Sequence, residues 1–205
     1  MEKRIITISR EYGSGGRQVG LMVAKRLGME FYDKELIDAA AKEIGFPAET
    51  VAAKEQQLTN SVLYNFALGT IYGTAYPREP KLSDLPLTEQ IFLAQKKVIE
   101  EAAGRLPAVF IGRCADAILK DRDDVLKVFI YADKDIRKKR AVEEYGDVPG
   151  YIDEFLHDMD KRRRIHYENY TNQKWGDRSN YDLMLNSGLL GVETCVDIVC
   201  AAAGR

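Results

Sequence analysis

Gly13-Ser14-Gly15-Gly16 stands between a β-branched apolar run, Arg4 to Ser9 (RIITIS), and a segment in which Val19, Val23, Ala24 and Leu27 recur at helical spacing. Glycines in that place let the backbone turn sharply and aim several N–H groups at one anion, and the helix that follows adds its positive end. Strand, glycine-rich turn and helix together read as a phosphate cradle. The lysine of the usual G-x-x-x-x-G-K-[ST] spacing is absent in either register. With Gly15 as the second glycine the lysine position is Gly16; with Gly16 it is Arg17, and the first glycine becomes Glu11. Arg17 and Arg10 are the natural substitutes, because a guanidinium spans two phosphate oxygens and stays charged at any working pH. Gln18 follows Arg17 where a hydroxyl normally meets magnesium, so Ser14 is the loop's candidate metal contact.

Other charges stand where they can join such a site. Arg113 directly follows the apolar run Ala108 to Ile111, at the mouth of a sheet where ligands of open α/β folds bind. Asp33 follows Glu30-Phe31-Tyr32 and reads equally as a helix cap or a ligand contact. Asp160, Arg162, Arg163 and Arg164 lie on a charged helical stretch, Tyr151 to about Tyr170, which is either a solvated face or a set of cations reaching for transferred charge. Trp175 stacks on a base or anchors this segment. His157 and His166 have no partner at metal-ligand spacing and read as surface histidines, and Cys114 reads as a buried structural thiol.

The elements that must position these residues alternate. Strands are expected near 4–9, 30–32, 108–111, 125–131 and 181–185. Helices are expected after Asp33, over Pro47 to Gln57, over Leu87 to Ala103, after Asp133, over Tyr151 to Tyr170 and over Leu190 to Ala203; Leu58 to Leu85 shows no sustained period. Strands separated by helices imply a parallel sheet covered on both faces. The 205 residues suit one α/β domain, 1–205, with an irregular or helical insertion at about 46–86 and a lid at about 148–178. A net charge of -2 with 30% charged residues gives no bias toward nucleic acid or membrane. No stretch approaches 18 apolar residues, and Met1 to Ile8 is too short for a signal peptide. Three unpaired cysteines suit a reducing cytoplasm.

ITISREYGSGGRQVG, FYDKELID, FIGRCADAIL, HDMDKRRR and YDLMLNSGLLGVET together resemble the cytidylate kinase family, and more closely the cytidylate kinase-like proteins, over most of the chain. The resemblance implies a three-layer P-loop kinase fold with a helical lid, ATP with Mg2+ in the loop, and an acceptor beneath it. Arg10, Gly13, Ser14, Gly15, Gly16, Arg17 and Gln18 would then hold ATP. Asp160 and Arg163 match the D-x-x-R of the family's lid helix. Arg17, Arg113, Arg162 and Arg163 would neutralise transferred charge, and Asp33, Arg113, Asp116 and Asp160 would face the acceptor. The chain also departs from the family: the carboxylates that flank the Gly-Arg pair are here Ile111 and Cys114, and the arginine expected beyond Asp33 falls near Ala39. The expected activity is an ATP-dependent phosphotransferase acting on a nucleoside monophosphate, CMP-like, or a related small acceptor. A nucleotide-binding regulator without turnover and a kinase of a non-nucleotide metabolite are the alternatives.

Overall fold

The computed structural model describes residues 3–33, 35, 36, 39, 85–147 and 149–204. The helix expected over Pro47 to Gln57 and nearly all of the expected 46–86 insertion lie outside them. In chain order the elements are β1 (Ile5–Arg10), α1 (Gly16–Leu27), β2 (Glu30–Tyr32), α2 (Leu87–Arg105), β3 (Ala108–Ile111), α3 (Ala115–Ile118), β4 (Val125–Tyr131), α4 (Lys134–Glu143), α5 (Ile152–Thr171), β5 (Leu183–Asn186), α6 (Ser187–Leu190) and α7 (Val192–Ala202). By contact the chain divides into two compact units, Met1–Asp33 with Ile99–Arg205, and Lys34–Val98. Among the described residues no helix is long and apolar enough to cross a membrane.

The sheet of the first unit has the order β2-β3-β1-β4-β5, and every pairing is parallel. Parallel pairing needs crossover connections, so all the loops that follow strands emerge on one edge. After β1 the chain builds β2 and β3 on one side of it, then crosses to place β4 and β5 on the other. The reversal opens a crevice above the carboxyl ends of β1, β3 and β4, and the glycine-rich loop leaves β1 into that crevice.

Period-two alternation sorts the strand side chains between the two faces. Ile6 and Ile8 of β1, Val109 and Ile111 of β3, and Val128 and Ile130 of β4 join one buried cluster with Val19 and Val23 of α1 and Cys195, Val196 and Val199 of α7. On β4 the intervening Phe129 meets Trp175 and Tyr181, with ring centroids 5.4 and 5.0 Å away. β1 is buried at all positions except Arg10, as its continuous apolar run requires.

Local chemistry moves two boundaries. The last strand starts at Leu183 rather than Tyr181, because Asp177 accepts from the Ser179 N–H and holds a short 3-10 turn, Arg178–Asn180, ahead of it. The closing helix is divided: Asn186 caps the short α6 by accepting from the Gly188 and Leu189 N–H groups, and α7 begins after Gly191. Asp133 occupies the position that caps α4, but its side chain makes no capping bond.

Candidate active site

The turn between β1 and α1 is built on two left-handed glycines, Gly13 at φ 75° and Gly15 at φ 74°. A side chain at Gly13 would lie 2.6 Å from the Arg137 carbonyl oxygen, so the turn rests directly on the backbone of α4. The oxygens of the turn are drawn inward. Arg140 Nη1 donates to the Gly13 carbonyl at 3.0 Å, the Ser187 hydroxyl donates to the Ser14 carbonyl, and Ser14 Oγ donates to the Glu11 carbonyl at 2.8 Å. Of the turn's amides, the Ser14 N–H donates to the Glu11 carbonyl at 3.4 Å and that of Gly15 is directed at the Tyr145 hydroxyl.

Ser14, the candidate metal contact, is wholly buried, with its hydroxyl on the Glu11 carbonyl. Among the described residues no group of three His, Cys, Asp or Glu side chains stands ready for a metal. Magnesium in nucleotide sites is held largely by the phosphates and by water, with one or two protein ligands at most.

Guanidinium groups converge on the same crevice. Arg10 passes beneath the turn after β3, where a side chain at Gly112 would come within 2.0 Å of its Nη1. Gly112, Arg113 and Cys114 are three successive left-handed residues, with φ 68°, 57° and 57°, closed by the Ala115 N–H donating to the Gly112 carbonyl at 3.1 Å. For the two non-glycine residues this conformation costs about 1–2 kcal/mol each, and it places Arg113 close enough to Arg10 to repel it. Burial, then Arg163, Arg113 and Arg17, pull the Arg10 guanidinium down to about 9, with Asp33 the carboxylate that opposes them. A cluster of cations gathered around a desolvated, partly buried guanidinium is the electrostatic form of an anion site.

Arg17 stands at the rim, 60% exposed, its Nε 2.6 Å from Asp33 and its guanidinium 5.7 Å above the Phe31 ring. An exposed pair of this kind is worth about 0–1 kcal/mol, whereas a hydrogen bond to a charged group contributes about 1.5–3 kcal/mol. Asp33 therefore parks Arg17 without locking it. Arg163 donates to the Arg10 carbonyl at 3.1 Å and lies 5.3 Å over the Tyr12 ring. Its neighbour Arg162, turned about 100° further around the helix, is exposed. The crevice thus receives one of the two lid arginines expected there.

Asp160 fastens α5 to the loop. Its Oδ1 accepts from the Tyr12 backbone N–H at 2.7 Å, and its Oδ2 accepts from Arg137 at 2.5 Å; Arg137 also lies 3.3 Å from Glu11. The Tyr12 ring sits edge-on to Tyr145 and Phe155, with centroids 5.7 and 5.3 Å apart, and its hydroxyl donates to Asp147 at 2.9 Å. Asp116 is buried, and its Oδ2 accepts from the Tyr167 hydroxyl at 2.7 Å, a tie between α3 and α5. Trp175 is held by its backbone N–H on Glu168 and by the Phe129 ring. His166 corrects the surface reading: its Nε2 is buried, its ring packs on Tyr170 at 5.0 Å, and burial, with Arg113 second, drives it down to about 3. Tyr12, Arg137, Arg140 and Asp147 were not among the expected site residues. The i, i+3 spacing of Arg137 and Arg140, which puts both on one helical face, was a signal available in the sequence.

The cytidylate kinase-like family model matches residues 5–189. This chain belongs to the cytidylate kinase-like family. Membership makes it an enzyme of the kinase class, a phosphotransferase. A curated relative, a cytidylate kinase of Archaeoglobus fulgidus, is 28% identical over 200 residues, covering 96% of this chain and 93% of the relative. An uncharacterised protein of Eubacterium ventriosum shares 27% identity and superposes with a TM-score of 0.72, covering 98% of both chains. Shikimate kinases of Acinetobacter baumannii, solved with shikimate, and of Bacteroides thetaiotaomicron are 14% and 11% identical. Their TM-scores are 0.53 and 0.55 over 98% of this chain and 92% and 98% of theirs, which shows the fold alone. The kinase fold and the P-loop position of the glycine turn agree with the sequence reading.

Two outcomes follow for this family member. Arg10→Met removes a charge that desolvation and its cationic neighbours both oppose: the ligand-free variant is expected to melt at or above the wild-type temperature, and to lose any upward shift that inorganic tripolyphosphate gives the wild type in a thermal melt. His166 is neutral in the folded state down to about 3, whereas in the unfolded chain it takes a proton near 6.5. Its contribution is full above pH 6.5 and falls by about 1.4 kcal/mol per pH unit below it. Denaturant titrations from pH 7 to 4 should show His166→Gln losing less stability than wild type.

Proposed function

We propose that this chain transfers the γ-phosphoryl group of ATP to a nucleoside monophosphate or a related small acceptor. The observation that carries the reading is the set of guanidiniums around Arg10, opposed by Asp33 and placed beside the left-handed glycine turn. Phosphoryl transfer asks a protein chiefly for positioning and for cancellation of charge on the moving group. In this reading the amides of Gly13 to Gly16 hold the phosphate chain. Arg17 leaves Asp33 to clamp it, and Arg113 and Arg163 meet the transferred group. The acceptor oxygen attacks phosphorus as the bond to the departing diphosphate breaks, and no protein nucleophile is required. Gln18, exposed beside Arg17, contacts an outer phosphate.

The acceptor is a phosphate-bearing or hydroxylated small molecule. Ile111 and Cys114, buried on either side of Gly112-Arg113, offer no carboxylate to a cytosine ring, which favours acceptors other than CMP. A nucleotide-binding regulator is the second reading, favoured by the missing loop lysine and the inward Ser14 hydroxyl. ATP consumption with magnesium against a panel of nucleoside monophosphates and small alcohols separates the two. At least one acceptor should support turnover, and Arg17→Ala should lower kcat/KM for it about 10²–10³-fold, the usual cost of one transition-state donor. Saturable ATP binding with no turnover on any acceptor would establish the regulator instead.

A further inference from the structure

The sheet face turned away from α1 carries a cavity of about 370 Å³, lined by Glu11, Phe129, Tyr131, Trp175, Gly176 and Met184. None of the arginines assigned to phosphate lines it. Phe129 and Tyr131 are two residues apart on β4 and so share a face, and Met184 is the register partner of Phe129 on β5. Trp175 closes one side, edge-on to Phe129 at 5.4 Å. At the loop end lies the Glu11 carboxyl, fixed by the Ala132 N–H at 3.2 Å and by Arg137 at 3.3 Å, both on Oε2.

The lining selects by chemistry. Three aromatic rings and a thioether present flat, polarisable surface with no cation, which suits a planar ring and repels nothing but a second anion. The one charged group is an acceptor held rigid by its own bonds, and it rewards an N–H donor on that ring. The volume falls within the range of small-molecule sites, which runs from about 300 to 1,000 Å³.

We propose that this cavity binds an amino-bearing heteroaromatic base, stacked on Tyr131 and Trp175 with an exocyclic N–H donating to Glu11. The base belongs either to a nucleotide whose phosphates occupy the loop or to a free nucleoside; the recognition is the same, and it stands whether or not the chain turns ATP over. Glu11 immediately precedes Tyr12, whose amide is held by Asp160, so occupancy bears directly on the loop.

Trp175 is the sole tryptophan of the chain, and its emission reports the cavity wall. Adenosine, cytidine, ATP and inorganic tripolyphosphate are each titrated while Trp175 fluorescence is followed. A saturable change with at least one nucleoside is expected. Tyr131→Leu, which keeps an apolar side chain and removes the ring, should weaken it about tenfold, the factor equivalent to an aromatic pair of about 1.4 kcal/mol. Prior saturation with tripolyphosphate separates the sources: it weakens ATP and leaves adenosine unchanged if the base arrives on a loop-bound nucleotide, and leaves both unchanged if the cavity serves nucleosides alone. No saturable change with any base, or the same change with tripolyphosphate alone, overturns the proposal. Thermal stabilisation by tripolyphosphate is read in parallel, since it tests the loop and survives failure at the cavity.

Discussion

Arg10 is the constraint around which the site is arranged. A partly buried guanidinium set among Arg163, Arg113 and Arg17 is unfavourable in isolation, because desolvation weakens its hydration and each neighbour adds repulsion. The fold accommodates it by local means: Gly112 lacks the atom that would displace it, the strained turn behind Gly112 brings Arg113 alongside, and Asp33 supplies the opposing charge. Such an assembly is only half of an electrostatic structure. In the proposed function a polyanion completes it, held by the N–H groups of the left-handed turn beside it.

The second organising contact is the carboxylate of Asp160. By engaging the Tyr12 amide and Arg137 it ties α5 to the loop and to α4, and it sits 3.8 Å from Arg163 of the same helix. Tyr12 adds its ring beneath the Arg163 guanidinium and its hydroxyl to Asp147. Arg163 of α5 is therefore aimed by the loop itself, so that a change in one is felt in the other. Asp160, which the family resemblance places toward the acceptor, here joins the loop, α4 and α5 through a backbone amide and two guanidiniums.

Membership in the cytidylate kinase-like family and the departures from its pattern point the same way. Arginines stand where the usual loop lysine would, and the positions flanking Gly112-Arg113 hold the buried side chains of Ile111 and Cys114. The activity class follows from the family. In the proposed function, acceptor choice is assigned to the positions that differ.

The sequence by itself determined the strand, turn and helix at the amino end, the parallel strand set, and the candidacy of Arg10, Arg17, Arg113 and Arg163, because period, glycine spacing and strand ends are local properties. It also held the arginine pair on α4, legible as one helical face. What it could not carry was direction. Arg162 and Arg163 are indistinguishable as letters, and only the packing of α5 on Tyr12 decides that one turns inward and the other to solvent. Ser14 and His166 likewise look available until the loop is seated on Ser187 and the imidazole is buried beside Tyr170. Burial and convergence come from residues far apart in the chain meeting across β1, β3, β4 and α5, and those long-range contacts exist only once the sheet order is set.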